Sequence, residues 1–166
     1  MDLKRIVRHL FTTRRQLART FPKAALAAIE QTIRASETQH AGQIRFVVEA
    51  ALDNGPLFRG QTARERALEL FSQLRVWDTQ HNNGVLIYLL LADRDVEIVA
   101  DRGIHARAGT EQWEAVCRAM ETAFRQNDYK TGAIHGIEAV SRHLSRHFPA
   151  DGGAGQNELP DAPLLL

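Results

Sequence analysis

The chain has 166 residues, 44% of them hydrophobic and 25% charged, which is typical of one soluble globular domain. Its net charge is only +1, and the basic excess is confined to residues 1–25, where seven Lys or Arg accompany one acid, so we expect no nucleic-acid binding. The single cysteine excludes an intramolecular disulfide framework. With no secretory signal and no apolar run of roughly 20 residues, we expect a cytoplasmic protein without a transmembrane segment.

Residues 1–20 predict a basic amphipathic helical extension, with Thr13 capping a second piece after a break. Its apolar stripe consists of Leu3, Ile6, Val7, Leu10 and Leu17. Two interpretations are open. In the first, the extension is peripheral to a membrane and binds its anionic surface, or an acidic partner, through Lys4, Arg5, Arg8 and Arg15. In the second, which we favour because the run is short and lacks Trp, the stripe docks on the chain's own domain.

Residues 21–74 predict a helix, a strand and a second helix. Pro22 suits the first turn of a helix that ends before Gly42. In the segment Gln43–Ala51, apolar Ile44, Phe46 and Val48 alternate with Arg45, Val47 and Glu49, which predicts a strand with one face only partly covered. Thr62 and Glu65 have the capping-box spacing, so another helix should begin there.

Residues 83–104 carry the strongest fold signal. The run Val85–Leu91 is entirely apolar, which predicts a strand buried on both faces. A polar turn leads into Val96–Ala100, where apolar and acidic residues alternate as in a half-buried strand. The two should form an antiparallel hairpin. With the earlier strand joined by a right-handed parallel crossover, Val85–Leu91 becomes the central strand.

Two further helices are expected to complete the domain. Thr110 can cap the first, and Asn127–Asp128 separates it from the second. The buried face of the first should contain Trp113, Val116, Cys117, Met120 and Phe124. Burial would raise the pKa of Cys117, which argues against a nucleophile. Residues 149–166 predict a flexible tail rich in Pro and Gly. The fold class is therefore α/β: a three-layer α/β/α sandwich with a small mixed sheet over residues 21–148.

The runs Asn83–Tyr88 and Val96–Ile104, joined by a short polar turn, resemble the TPM domain family. Further matches are Glu37 with Gly42, Leu70–Phe71, and Asn127–Tyr129 with Gly132. The family is named for proteins of the thylakoid lumen, photosystem assembly and receptor modulation, and it has many bacterial members. The resemblance covers residues 22–148 and implies an α/β/α sandwich. It also implies weak acid phosphatase activity, binding of divalent cations through acidic residues, or membrane-associated assembly.

Topology places the two ends of residues 83–104 at one edge of the sheet. Family members usually have an Asp just before the Asn-Gly pair, and at that position this chain has Asn82. They also have an acid after the glycine loop that follows the second strand, and here that acid corresponds to Glu111. The resemblance implies Ca²⁺ or Mg²⁺ held by oxygen ligands, for which the candidates are Asp101, Asn82, Asn83, Asp78 and Glu111. The less favoured alternative is Zn²⁺ on His40, His81, His105 and Asp101. In a third interpretation these side chains only satisfy loop backbone groups.

The opposite edge is a second candidate, because ligands of open sheets usually bind beyond the carboxyl ends of parallel strands. That edge comprises Asp53–Phe58 and the Asp93–Asp95 turn, and we rank it second because the turn resembles an ordinary exposed hairpin turn. His143 and His147 lack the intervening Glu of a zinc protease. Phosphate loops and nucleophile elbows are also missing from the sequence.

We therefore expect a non-catalytic binding or assembly module of the TPM type that engages a protein or membrane-associated partner. The alternative is a weak divalent-metal-dependent phosphatase acting at the Asn83/Asp101 end of the sheet.

Overall fold

A computed structural model describes residues 2–150 and 157–166, which form eight helices and four strands. In chain order these are α1 (Leu3–Phe11), α2 (Arg14–Thr20), α3 (Lys23–Ser36), β1 (Gln43–Glu49), α4 (Asn54–Phe58), α5 (Ala63–Gln73), β2 (Gly84–Leu90), β3 (Asp95–Ala100), α6 (Arg102–Ala108), α7 (Thr110–Arg125), α8 (Tyr129–His147) and β4 (Leu164–Leu165). The helices and strands that the sequence predicts are all present. The additional elements are α4, α6 and β4, which are too short for a periodic pattern to indicate them.

The strands form one mixed sheet in the order β3-β2-β1-β4. β1 and β2 are parallel, with Gln43 opposite Gly84, while β2 and β3 are antiparallel, with Val85 opposite Ala100. The predicted parallel pairing of β1 with β2 and the predicted hairpin of β2 with β3 are both confirmed. This register brings the starts of β1 and β2 and the end of β3 to one end of the sheet, which we call the amino end.

Helices cover both faces of the sheet, which confirms the three-layer α/β/α sandwich. On one face the sheet packs against α3, α7 and α8, and on the other against α5 and α4. The first interior includes Ile29, Ile33, Ile44, Phe46, Ile87, Met120, Phe124 and Ile137. The second includes Val47, Leu57, Ala67, Leu70, Leu86, Tyr88 and Leu90. Among the described residues, none of the helices is long and apolar enough to cross a membrane.

The end of the chain differs from the prediction of a flexible tail. Leu164 and Leu165 pair with Val47 and Val48 as a parallel strand on the edge of β1. The tail prediction is therefore wrong for residues 157–166, while residues 151–156 lie outside the described part of the chain. The same segment explains why β1 is buried along its whole length instead of having one partly covered face.

The N-terminal helices also differ from the favoured interpretation. Thr13 caps α2 as predicted, since its side chain accepts a hydrogen bond from the Gln16 backbone N–H. However, only Ile6 and Leu17 of the apolar stripe are buried, and the other three stripe residues are exposed to solvent. Helix α1 docks mainly through its polar side, so the prediction that the stripe packs on the domain is wrong for most of α1.

Candidate functional site

Helix α1 presents an apolar surface to solvent. Its exposed members are Leu3, Val7, Leu10 and Phe11, which we call the α1 apolar face. Their relative exposures run from 44% to 76%, and their spacing of i, i+4, i+7 and i+8 places them on one side of the helix. An exposed cluster of large apolar residues on a helix indicates an interaction surface more strongly than scattered ones do.

Cations accompany this face. Lys4 and Arg15 are exposed, and the Arg8 side chain is 55% exposed. The only acidic residue within the first 25 positions is Asp2, whose side chain is used to cap α1. The surface therefore combines apolar area with positive charge, the composition of helices that lie in a membrane interface.

Asp93 anchors α1 to the domain. Its carboxylate accepts hydrogen bonds from Arg5 Nε at 2.8 Å and Arg8 Nη2 at 3.2 Å, and His9 Nε2 lies 3.1 Å from Asp93 Oδ2. The other ring nitrogen of His9 accepts from the Leu52 backbone N–H at 3.1 Å. Burial by itself would raise the pKa of Asp93, but the His9 and Arg5 side chains outweigh it and hold that pKa below its usual value.

This anchor changes the roles predicted for two residues. Asp93 is not part of an ordinary exposed turn, because its side chain is only 11% exposed. Arg5, predicted to contact a partner, is used inside the chain, since it also donates to the Gln61 carbonyl at 2.8 Å. Of the predicted partner-binding residues, Lys4, Arg8 and Arg15 keep their exposure.

At the amino end, the structure brings Asn82, Asn83 and Asp101 together. The Asp101 backbone N–H donates to the Gly84 carbonyl at 2.9 Å. Gly103 packs so closely on the Asn82 carbonyl that a Cβ atom there would overlap it. The residues before β2 and after β3 are therefore neighbours, as the hairpin predicts.

Part of the polar chemistry at this end is structural. Asn83 is fully buried, and its Nδ2 donates to the Ala41 carbonyl at 3.0 Å. Asp101 is the N-cap of α6, and its Oδ1 accepts from the Arg102 backbone N–H at 2.7 Å. Two buried acceptors remain, Asn83 Oδ1 and Asp101 Oδ2, and neither has a hydrogen-bond partner among the described residues. Unpaired buried oxygens are costly, so these two atoms are the part of the end that a ligand could satisfy.

The other predicted ligands do not join them. The Asp78 side chain is 56% exposed and lies 3.7 Å from Arg75 Nε, and Glu111 is exposed in the first turn of α7. Across the part of the chain that the structure describes, no three His, Cys, Asp or Glu residues are placed to hold a metal ion. The oxygen donors left at this end are therefore Asn83 Oδ1 and Asp101 Oδ2.

The histidines predicted as zinc ligands differ in their exposure to solvent. His40 is buried and its Nδ1 lies 3.0 Å from the Gly42 carbonyl. Burial lowers the pKa of His40 to about 4, so the ring is neutral near pH 7. His81 and His105 are exposed to solvent. A zinc site made from all three is not assembled.

A polar cluster that the sequence did not indicate lies at the carboxyl end of β1. Tyr88 Oη donates to Glu49 Oε2 at 2.7 Å, and Arg66 donates to both oxygens of Glu49 at 2.9 and 3.1 Å. The cluster borders a cleft of about 410 Å³ that also includes Arg14 and Asp53, part of the second candidate edge. In the sequence Tyr88 lies within an apolar run, so nothing around it indicates a polar partner. Its contact with Glu49 follows only from the pairing of β1 with β2.

Two remaining candidates behave as structural residues. Burial raises the pKa of Cys117 to about 12, so this thiol is not activated. His143 packs edge-on against Trp113, with ring centroids 5.4 Å apart.

Comparison with known proteins places this geometry in a family. The TPM domain profile matches residues 15–143. The NMR structure of the BA42 protein from the psychrophilic bacterium Bizionia argentinensis is 28% identical, with a TM-score of 0.75 over 86% of this chain and 93% of that one. The N-terminal domain of a P. gingivalis protein shares the fold at 21% identity, with a TM-score of 0.61 over 76% of this chain and 77% of that one. A search of curated proteins found no match. The chain belongs to the TPM domain family.

Proposed function

We propose that this chain is a non-catalytic binding module of the TPM type that attaches peripherally to an anionic membrane surface on the cytoplasmic side. The observation that carries the proposal is the orientation of α1, whose polar side docks on Asp93 while its apolar face points to solvent. A helix that served only the domain's own core would bury its apolar stripe.

The expected strength of attachment follows from the exposed side chains. Fully burying a Leu or Phe side chain is worth roughly 1.5–3 kcal/mol, so the partly exposed α1 apolar face contributes on the order of 5 kcal/mol. Each Lys or Arg near an anionic leaflet adds about 1 kcal/mol. With the three exposed cations Lys4, Arg8 and Arg15 the sum is about 8 kcal/mol, which corresponds to a dissociation constant of about 1 μM, so binding should be reversible and weakened by salt.

The charge distribution supports a membrane surface, more than an acidic protein groove, as the occupant. The basic residues of α1 and α2 are spread along the helices without intervening acids. An anionic leaflet offers negative charge across the whole surface and needs no side-chain register. The same surface accepts the apolar face at the boundary between headgroups and acyl chains.

The test is co-sedimentation with vesicles of phosphatidylcholine alone or with about 30% phosphatidylserine. We expect the wild type to bind the anionic vesicles and the variant Leu10→Ser/Phe11→Ser to bind at least tenfold less. Leu68→Ser is the matched control, because Leu68 is a comparably exposed leucine on α5. Point substitutions are preferable to deleting residues 1–20, since Leu17 lies in the core. Equal sedimentation of the α1 variant and the control would contradict the proposal.

A second candidate function is the binding of a divalent cation at the amino end, with weak phosphatase activity there. It is supported by the two buried oxygens without partners, Asn83 Oδ1 and Asp101 Oδ2. A bound Ca²⁺ or Mg²⁺ would satisfy them and could polarise a phosphate ester. Zn²⁺ is less supported, because neither atom is a nitrogen or sulfur ligand.

The two candidates are tested separately. Calorimetric titration with Ca²⁺, Mg²⁺ and Zn²⁺ measures cation binding, and a generic phosphate-ester assay compares the wild type with Asp101→Asn. The cation hypothesis expects binding of Ca²⁺ or Mg²⁺ that Asp101→Asn weakens. Absence of both binding and Asp101-dependent turnover would remove it, and vesicle binding would be unaffected.

A further inference from the structure

Residues 157–166 lie along the free edge of β1 and are held there mainly through their backbone. β4 pairs in parallel with Val47 and Val48, the Leu166 N–H donates to the Val48 carbonyl at 2.9 Å, and the Ala50 N–H donates to the Leu166 carbonyl at 3.1 Å. Such pairing does not depend on the side chains of the added strand. It is the way in which sheet edges bind extended peptides.

Two side chains of β1 extend this backbone recognition. Gln43 Oε1 accepts hydrogen bonds from the N–H groups of Glu158 and Leu159 at 2.8 and 3.0 Å. Arg45 Nη1 donates to the carbonyl of Pro160 at 2.8 Å and also to that of Ala162. The two side chains thus make four hydrogen bonds to main-chain atoms, at Glu158, Leu159, Pro160 and Ala162. Pro160 fits because only its carbonyl is needed.

These two side chains are buried, with relative exposures of 5% for Gln43 and 8% for Arg45. Within the described residues Arg45 forms no ion pair, and its hydrogen bonds go to the two carbonyls. A buried guanidinium is costly unless its donors are satisfied. Without residues 157–166, Gln43 and Arg45 would line an open edge of the sheet, where water would replace their main-chain partners.

Two side chains of the segment set its position. Leu159 is buried with the residues of the α5 face of the sheet. Asp161 is buried as well, and its carboxylate accepts from Arg34 Nε at 3.2 Å and from Asn157 Nδ2 at 2.9 Å. An occupant of this edge therefore needs a Leu followed two residues later by an Asp, with bends at the positions of Leu159 and Ala162 ahead of a short strand.

We propose that the β1 edge is a peptide-binding groove and that residues 157–166 are a ligand bound in cis. Its ligand class is a peptide that contains Leu-x-Asp and ends in a short apolar strand. Because residues 157–166 belong to the same chain as β1, the cis ligand has an effective concentration on the order of millimolar, which suppresses binding of the same peptide in trans. The inference does not depend on the membrane proposal.

The test uses the full chain with a protease site inserted between Gly152 and Gly153. The probe is a fluorescent synthetic peptide with the sequence of residues 157–166, followed by anisotropy, while circular dichroism monitors the fold. After cleavage we expect saturable binding of the probe by exchange with the released segment. The uncleaved chain should bind the probe at least tenfold more weakly.

Altered probes test the recognition without risk to folding. N-methylation of the Leu159 position removes one N–H that Gln43 accepts, and Asp161→Asn removes the charge that Arg34 contacts. Each should weaken binding several-fold, and a scrambled peptide should not bind. On the protein side, Arg45→Met should weaken binding at least tenfold, with exposed Arg59→Met as the matched control.

Two results would overturn the proposal. One is a cleaved chain that remains folded but binds neither the probe nor its own segment. The other is a segment that leaves only when the whole domain unfolds, because residues 157–166 would then be an integral strand rather than an exchangeable ligand.

Discussion

Replacing Asp93 by Asn should release α1 from the domain. Asp93 gathers three basic side chains from α1, of which His9 is fully buried and Arg5 is 20% exposed. A hydrogen bond to a charged group contributes about 1.5–3 kcal/mol, and an exposed pair such as Arg8 with Asp93 contributes about 0–1 kcal/mol. Because the amide retains one acceptor oxygen, we expect a loss of about 2–3 kcal/mol in the free energy of unfolding.

The assay for Asp93→Asn is urea unfolding combined with hydrogen exchange at the α1 amides. A loss of this size should lower the melting temperature by about 4–10 °C in a chain of this length. Exchange should accelerate in α1 before the sheet is affected. Asp53→Asn is the matched control, since Asp53 is exposed and its side chain makes no capping hydrogen bond. A change below about 0.5 kcal/mol with unchanged α1 exchange would refute the anchoring role.

Three further predictions concern the core and the two ends of the sheet. Burial, together with Asp161, raises the pKa of Glu37 from 4.5 to about 8. Between these two values the folded state binds a proton that the unfolded state does not, so the free energy of unfolding should fall as pH rises. Urea unfolding at pH 5 and pH 8.5 should show a smaller fall for Glu37→Gln, and an unchanged fall would contradict this prediction. Tyr88→Phe removes one hydrogen bond to Glu49 but leaves the Arg66 pair, so thermal unfolding should show a loss of about 1–2 kcal/mol, and no loss would mean that this bond is energetically neutral. In urea unfolding, Gly103→Ala should lower the free energy of unfolding more than Gly60→Ala does. A Cβ at Gly103 would overlap the Asn82 carbonyl, whereas a Cβ at Gly60 meets no atom and is disfavoured only by the positive φ of 78°. Equal losses would argue against close packing at the amino end.

The hairpin illustrates what local patterns can predict. Seven consecutive apolar residues, a polar turn and an alternating run were sufficient to predict β2, β3 and their antiparallel pairing. The same pairing then placed Asn82 and Asp101 at one end, which the structure confirms. What the pattern could not predict is that Asp101 caps α6 and leaves one oxygen without a partner, because α6 has only seven residues.

Helix α1 illustrates where such patterns fail. Helical spacing correctly indicates an amphipathic helix, but it does not state which side meets the domain. The side of α1 that meets the domain is the one that contacts Asp93, which lies 88 residues after Arg5 in the chain. The contacts of Asp93 with buried His9 and with Arg5 hold the polar side of α1 on the domain, while Leu3, Val7 and Leu10 remain exposed.

By itself the sequence determined the elements with strong periodicity, their approximate ends and the α/β/α class, because these depend on interactions between residues a few positions apart. Only the tertiary structure decided the orientation of α1, the buried cluster around Glu49 and the addition of β4. Each of these depends on pairs far apart in the chain, such as Arg45 and Ala162 at 117 residues. The free energy of such contacts comes from burial and geometry that appear only when the sheet is assembled.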